Sequence, residues 1–332
     1  MFTFARFPWV FALCCTATVA LADIYKGAIV VDAEDGKVLF ADQSDYTGPP
    51  ASVTKLMTFL IVHDAIKAGE ISLSTRVTVS AEDSRMGGTQ VWLAHNEVFT
   101  VEELLYALMI QSANDAAHAL SHIAAPDRPS FVAKMNARAQ QLGMTDTIWR
   151  TPHGLPPRSR KLSETDQTSP RDLAKLSVAL LRETDVLRYS AVKNRPFGEG
   201  YRAKPVMMRT HNHLLGKVEG VDGLKTGFTR AAGFCLSATA MRDGRRIVAV
   251  LMGCPTSQER DIRMAELIEE TFANADPAPF SRAPEKPAFT RAPITKSREL
   301  PTLDITPIDT SLDPEAPLPA DSEPPTVVFE LP

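Results

Sequence analysis

Pro49-Pro50-Ala51-Ser52-Val53-Thr54-Lys55-Leu56-Met57 puts a serine hydroxyl and a lysine amine three residues apart at the start of a helix. Positions i and i+3 share a helix face, so the two side chains can meet. A serine hydroxyl is a weak nucleophile until a base takes its proton, and a lysine held neutral can be that base. The helix N-terminus also favours negative charge developing there. The helix continues through Leu56, Met57, Leu60, Ile61 and Ala65 to near Gly69. It is apolar on most sides, which places it in the core. Alone, Ser-x-x-Lys arises about once by chance in a chain of this length. Ser190-Ala191-Val192-Lys193 is a second copy, set aside because no apolar helix follows it. The bland reading of Ser52 and Lys55 is an ordinary helix start with a solvated lysine.

Outward from this helix, Ala28–Asp32 and Lys37–Phe40 flank Asp35-Gly36 and read as a β-hairpin. Arg76–Val79 is a short strand, and Met86-Gly87-Gly88-Thr89 a loop. Thr100 and Glu103 form a capping box for a helix through Leu104, Leu105, Leu108 and Met109. The helical pattern resumes at Asp115 and runs through Ala117, Leu120 and Ile123, leaving Ser112-Ala113-Asn114 between the two helices. Phe131–Leu142 and Ser169–Leu181 are further helices. Thr151–Pro157 between them is a turn-rich loop. Three strands follow, Val221–Gly227, Gly233–Ala240 and Arg246–Met252, the last two joined at Asp243-Gly244. Thr256 and Glu259 cap a last helix through Ile262, Leu267, Ile268 and Phe272. Strands at both ends with helices between predict an α/β chain of the α+β type. Its centre is an antiparallel sheet of about five strands, with flanking helices and a helical insertion.

Ser52-x-x-Lys55, Ser112-x-Asn114 and Lys225-Thr226-Gly227 occur in this order. Each has a plain structural reading: Ser112 and Asn114 can break and recap a helix, and Lys225–Gly227 can end a strand. Their joint order is what penicillin-binding proteins and class A β-lactamases carry. The surrounding residues narrow the likeness. Pro50–Thr58, Gln111–Ala117, Leu142-Gly143-Met144, Pro152-His153-Gly154-Leu155 and Val221–Thr229 resemble the D-alanyl-D-alanine carboxypeptidases, the low-molecular-mass penicillin-binding proteins. The likeness covers about residues 24 to 274.

The resemblance implies a β-lactamase/transpeptidase-like fold and a serine peptidase acting on peptidoglycan stem peptides, with β-lactam antibiotics as covalent inhibitors. Ser52 would attack the penultimate D-Ala carbonyl, with Lys55 as base. Burial and the nearby positive Lys225 would push that amine's pKa down. Ser112 would relay a proton to the leaving amine, and Asn114 would hold the substrate amide. Lys225 and Thr226 would bind the terminal carboxylate, and Gly227 would let the substrate backbone approach the strand edge. Backbone N–H groups of Ser52 and Phe228 would form the oxyanion hole. Arg260 matches a family arginine near that carboxylate, although an exposed helix-start arginine fits the sequence equally. No cofactor and no metal are implied. A β-rich second domain and a membrane-lying C-terminal helix, frequent in the family, are not expected after Ala275, and membrane association is left open. The loop Pro156–Lys161 departs from the family pattern.

Composition bounds the rest. Arg6, the apolar stretch Phe7–Leu21 and Ala20-Leu21-Ala22 read as a secretory leader over 1–22. An uncleaved anchor is the alternative. The peptidase domain is expected at 23–276, and a proline-rich tail without a packed core at 277–332. The last 32 residues carry seven acidic side chains and no basic ones, while 281–300 carries five basic and two acidic. A basic stripe is missing, which excludes nucleic acid as a partner class. Cys14 and Cys15 leave with the leader. Through the Asp243-Gly244 hairpin, Cys235 should face Met252, with Cys254 two residues further on the same face. That allows a diagonal disulfide but favours two free buried thiols. His211 and His213 are expected in structural or surface roles. The nearest rival function is a D,D-endopeptidase with the same residues. A β-lactamase would need a Glu-x-x-x-Asn segment, which is not found. A non-catalytic binding protein is the third class, against which the intact Ser52, Lys55 and Lys225 argue.

Overall fold

The structure, a computed structural model, describes residues 24–274, so the expected leader and proline-rich tail lie outside the described residues. β1 (Gly27–Asp32) and β2 (Val38–Asp42) form the first hairpin. A 3₁₀ turn over Ala51–Thr54 leads into α1 (Lys55–Lys67), so the helix begins at Lys55 rather than at Ser52. Lys55 to Val62 are all buried, as an all-round apolar helix requires. α1 lies among three other helices, α3 (Asn114–Ile123), α4 (Arg128–Gln141) and α5 (Pro170–Glu183).

Ahead of α3, β3 (Arg76–Thr78) pairs with β4 (Val98–Thr100), and α2 (Val101–Tyr106) follows. Thr100 Oγ1 accepts the Glu103 N–H as a cap should. The expected return bond is absent, because the Glu103 carboxylate takes Gly198 N–H at 2.8 Å and Arg195 at 2.7 Å instead. α2 does not run on through Met109 as an α-helix. It loosens into a π-helical turn, Ala107–Gln111, that stops at Ser112. After α5, the short α6 (Leu187–Ser190) runs into a ribbon of β5 (Asn194–Phe197) and β6 (Val206–Arg209). The second Ser-x-x-Lys therefore sits at a helix end, with Ser190 Oγ near Asp222 O.

β7 (Val221–Thr229), β8 (Gly233–Arg242) and β9 (Arg245–Cys254) complete a five-stranded sheet of order β2-β1-β9-β8-β7, antiparallel throughout. Asp243 and Gly244 both take positive φ, +48° and +81°, which a two-residue hairpin turn demands. α7 (Ser257–Ala273) covers one face of the sheet, and α5 with the helical layer covers the other. Among the described residues the first and last strands, β1 and β9, are thus neighbours, and the helices between them are the insertion.

One register expectation fails. Arg242 faces Arg245 and Leu236 faces Leu251 in the expected register, but β9 then bulges, placing two residues, Met252 and Gly253, against the single Cys235 of β8, so that Phe234 faces Cys254. A one-residue slip sends a side chain to the opposite face. Cys235 packs with Val248, Val250 and Met252 in one core layer, and Cys254 with Leu251 and Ile268 in the other. Both cysteines are buried and neither is in a disulfide.

Candidate active site

The 3₁₀ turn that carries Ser52 is set up from its first residue. Buried Ala51 takes φ +51°, a left-handed conformation, and the chain then winds tightly into α1. This brings Lys55 Nζ to 2.9 Å from Ser52 Oγ. The amine also donates to Asn114 Oδ1 and to the His153 carbonyl, both at 2.7 Å. The Lys55 side chain is fully buried, so the reading as a solvated lysine does not hold.

Asn114 opens α3 and is held from three sides. Its N–H reaches Thr89 O at 2.8 Å and its Nδ2 reaches Gly87 O at 2.9 Å, while its Oδ1 meets Lys55. Ser112, two residues earlier, is left-handed at φ +61°. Its Oγ is buried and has no hydrogen-bond partner among the described residues. A non-glycine residue held in this region costs on the order of 1–3 kcal/mol and persists where its surroundings impose it.

β7, the edge strand beyond β8, closes the opposite side. Lys225 and Thr226 are buried, and Lys225 Nζ lies 3.0 Å from Thr226 O. A Cβ at Gly227 would stand 2.5 Å from Pro50 O and 3.0 Å from the backbone nitrogens of Ser52 and Val53. The missing side chain therefore makes room for the protein's own serine turn. Phe228 stacks on Phe234, ring centroids 4.1 Å apart. Behind Phe234, the Arg260 guanidinium lies 6.0 Å from that ring and 2.9 Å from Asp261. Arg260 is fully buried, which overturns the exposed helix-start alternative. Ser52, Lys55, Asn114, Gly227 and the β7 edge thus meet around one point. Ser112 adjoins it through Asn114, and Arg260 stands one aromatic layer behind.

A family model described as D-alanyl-D-alanine carboxypeptidase matches residues 16–256. The chain belongs to this family. D-alanyl-D-alanine carboxypeptidase DacF of Bacillus subtilis is 32% identical over 263 residues, 79% of this chain and 66% of that protein. The D-alanyl-D-alanine endopeptidase of Haemophilus influenzae is 32% identical over 234 residues, 70% of this chain and 74% of that protein. Penicillin-binding protein D2 of Listeria monocytogenes, solved with ampicillin bound, superposes with a TM-score of 0.66 at 28% identity, covering 75% of this chain and 97% of that one. The α+β architecture is therefore that of solved penicillin-binding proteins. The chain spans 60–66% of the length of the curated carboxypeptidases it matches.

Within this carboxypeptidase-family site, three supports escaped the sequence reading. The first is the loop segment Pro152-His153-Gly154-Leu155, which carries part of the family likeness. Its His153 carbonyl holds Lys55, and a Cβ at Gly154 (φ +85°) would stand 2.0 Å from Ala51 O. Burial pushes the His153 ring well below its ordinary value of 6.5, and the Lys55 amine beside it acts in the same direction whenever it is charged. Its Nδ1 accepts from Leu155 N, so the neutral ring carries its proton on Nε2. Asp166 is the second. Its buried carboxylate accepts from Thr54 Oγ1, Thr151 Oγ1 and the N–H groups of Arg150 and Thr151, which ties the serine turn to the His153 loop. Burial raises its carboxyl against those bonds. Neither residue type is spaced in sequence to announce these contacts.

The third is Asp83, which holds the loop carrying Gly87 and Thr89 onto α3. It bonds His118 Nδ1 at 2.5 Å and His122 Nε2 at 2.9 Å. Burial pushes the Asp83 carboxyl up, but the two imidazoles and the Ser80 N–H outweigh it and leave the group far below 3.8. The Asp83 bond raises His122 above 6.5 against the cost of burial. A depressed carboxyl stabilises above its unfolded value, and a raised imidazole stabilises below its own. The pair therefore contributes most between pH 3.8 and 6.5 and fades as pH rises through the folded His122 value. His122→Gln should lower the unfolding temperature most in the middle of that window, with the deficit shrinking above it. Thermal unfolding of both chains across pH reads this directly. A deficit independent of pH would remove the ionic contribution.

Proposed function

We propose that this chain is an exported serine D,D-carboxypeptidase that removes the terminal D-Ala from peptidoglycan stem peptides. The observation that carries the reading is the 2.9 Å contact between Lys55 Nζ and Ser52 Oγ, made by an amine that also meets Asn114 Oδ1 and His153 O at 2.7 Å. A neutral amine donates two hydrogens and keeps one lone pair. Hydrogens given to Asn114 Oδ1 and His153 O would turn that lone pair toward the Ser52 hydroxyl proton.

Ser52 Oγ attacks the penultimate D-Ala carbonyl as its proton passes to Lys55, which gives a tetrahedral oxyanion. The N–H groups of Ser52 and Phe228 receive that charge, and the closeness of Gly227 to Ser52 N supports this placement. A proton then reaches the leaving nitrogen through Ser112, the C–N bond breaks and D-Ala departs. Water, deprotonated by the same amine, hydrolyses the ester and returns Ser52. Asn114 holds the substrate amide, and Lys225 and Thr226 take its terminal carboxylate. Arg260, buried behind Phe234, adds positive potential at that end of β7. The edge position of β7 suits an extended peptide added as a further strand. β-Lactams would acylate Ser52 in place of the peptide, as the ampicillin-bound relative suggests. Export rests on the leader-like residues 1–22. Among the described residues no helix is long and apolar enough to cross a membrane.

The endopeptidase relative gives the second reading, cleavage of cross-links by the same residues. The test is to incubate residues 23–332 with a stem pentapeptide and with a cross-linked muropeptide and to weigh the products. Loss of one alanine with the cross-link intact is the expected result. Cleavage of the cross-link alone would transfer the assignment to endopeptidase. Acylation by penicillin without any product would remove both substrates.

A further inference from the structure

Trp92 is the most exposed large apolar side chain among the described residues, at 64%, and its backbone is left-handed at φ +58°. A bulky residue does not adopt that conformation freely, so the surroundings impose it. They do so through two clamps. On one side, the buried Asp115 carboxylate, one residue after Asn114, accepts from Val91 N at 3.3 Å and Leu93 N at 3.0 Å. On the other, the Arg202 guanidinium donates to Val91 O at 2.7 Å and Trp92 O at 2.8 Å. Arg202 is itself paired with Glu97, which also takes the Ala94 N–H. Val91 and Leu93, either side of the tryptophan, are buried.

All of this rigidity serves a side chain that packs little against the rest of the protein. A rigid, pre-placed indole loses little conformational freedom on meeting a ligand. The ridge also belongs to the wall of the serine site, because Gly87 and Thr89 of the same segment hold the Asn114 side chain and N–H.

From this geometry we infer that Trp92 is a saccharide-stacking residue that holds the glycan strand of peptidoglycan while the stem peptide occupies the β7 cleft. The inference extends the peptidase reading from the peptide to the polymer that bears it. An exposed indole face matches the C–H face of a pyranose ring. The residues that follow it, Ala94, His95 and Asn96, are exposed, and two of them offer polar groups for hydroxyls and acetamides. The ligand class is therefore a β-linked chain of N-acetylated amino sugars.

Trp92 and Trp149 are the two tryptophans among the described residues, and Trp149 is buried. Quenching by acrylamide in residues 23–332 therefore reads Trp92. Peptide-free strands of alternating N-acetylglucosamine and N-acetylmuramic acid should cut the quenching constant at least about twofold, with no such change in Trp92→Phe. In turnover, Trp92→Ala should lower the preference for glycan-linked over free pentapeptide about tenfold, and Trp92→Phe should restore most of it. Quenching untouched by the glycan, or an unaltered preference, overturns the inference. Protection by anionic phospholipid vesicles with none by glycan also overturns it and reassigns the ridge to a membrane surface. Should the wild-type chain release no D-Ala from either substrate, the peptidase reading fails, and the quenching arm, which needs no turnover, still decides Trp92.

Discussion

Lys55→Met should lower acylation of Ser52 by penicillin by at least about 10³-fold, the range a positioned base contributes. Methionine keeps an unbranched apolar stem in the buried slot but removes the amine. Two buried acceptors, Asn114 Oδ1 and His153 O, then lose a donor at 2.7 Å. Each unsatisfied group costs about 1–3 kcal/mol, so a lower unfolding temperature should accompany the lost rate. Lys55→Arg separates the two effects. A guanidinium supplies donors to the same acceptors but cannot be deprotonated in a protein. It should recover part of the stability and none of the acylation. In the unaltered chain, acylation should also fall as the medium is acidified, since a protonated amine has no lone pair for the serine proton. Covalent mass gain with time, followed for all three chains, is the measurement. An arginine variant acylated at the wild-type rate would remove Lys55 from the role of base.

Gly227→Ala should slow the same acylation about 100-fold, because a displacement near one ångström at the reacting atoms is costly on that scale. The added carbon would stand 2.5 Å from Pro50 O and 3.0 Å from the nitrogens of Ser52 and Val53, all backbone atoms that no rotamer change can clear. The serine turn and β7 must therefore move apart, which separates the two N–H groups proposed to receive the oxyanion. Forcing a methyl into such a contact costs about 1–3 kcal/mol. A domain of this size should then unfold roughly 2–4 °C lower for each kcal/mol lost. Differential scanning calorimetry beside the acylation rate tests both halves. Unchanged rate and unchanged melting together would mean that the turn and the strand are not in firm contact.

Much of this architecture is legible in the sequence. Asp35-Gly36 and Asp243-Gly244 marked both hairpins, because each turn needs backbone that few residues adopt. The all-round apolar run after Lys55 marked the central helix, since nothing but burial suits it. What stayed hidden depends on contacts between distant residues. The bulge adds one residue to β9 between Leu251 and Cys254, where Gly253 takes φ +81°, and it turns Cys254 to the face opposite the expected one. β4, β5 and β6 have three or four residues each, and Pro196 sits inside β5, so they lack a readable alternation. Within the site, Ser52 and Lys55 were visible as neighbours on one turn. Asn114 was visible only as part of an ordered set of motifs. His153 contributes its carbonyl oxygen, which every residue possesses, so no side-chain pattern could mark it. Asp166 and Asp83 act on partners up to 112 residues away, and isolated aspartates in a sequence look alike.

The thiols on opposite faces of the sheet set how the chain relates to an oxidising compartment. Cys235 and Cys254 cannot be joined without undoing the bulge, and burial pushes the Cys254 thiol up to about 12. Such a sulfur carries almost no thiolate at neutral pH and is a poor target for exchange. Folding of residues 24–274 thus asks nothing of an oxidant or an isomerase. The domain should mature equally well in a reducing cytosol or beyond the membrane. The same buried sulfurs become reporters, because the rate at which a maleimide captures them measures how often the sheet opens.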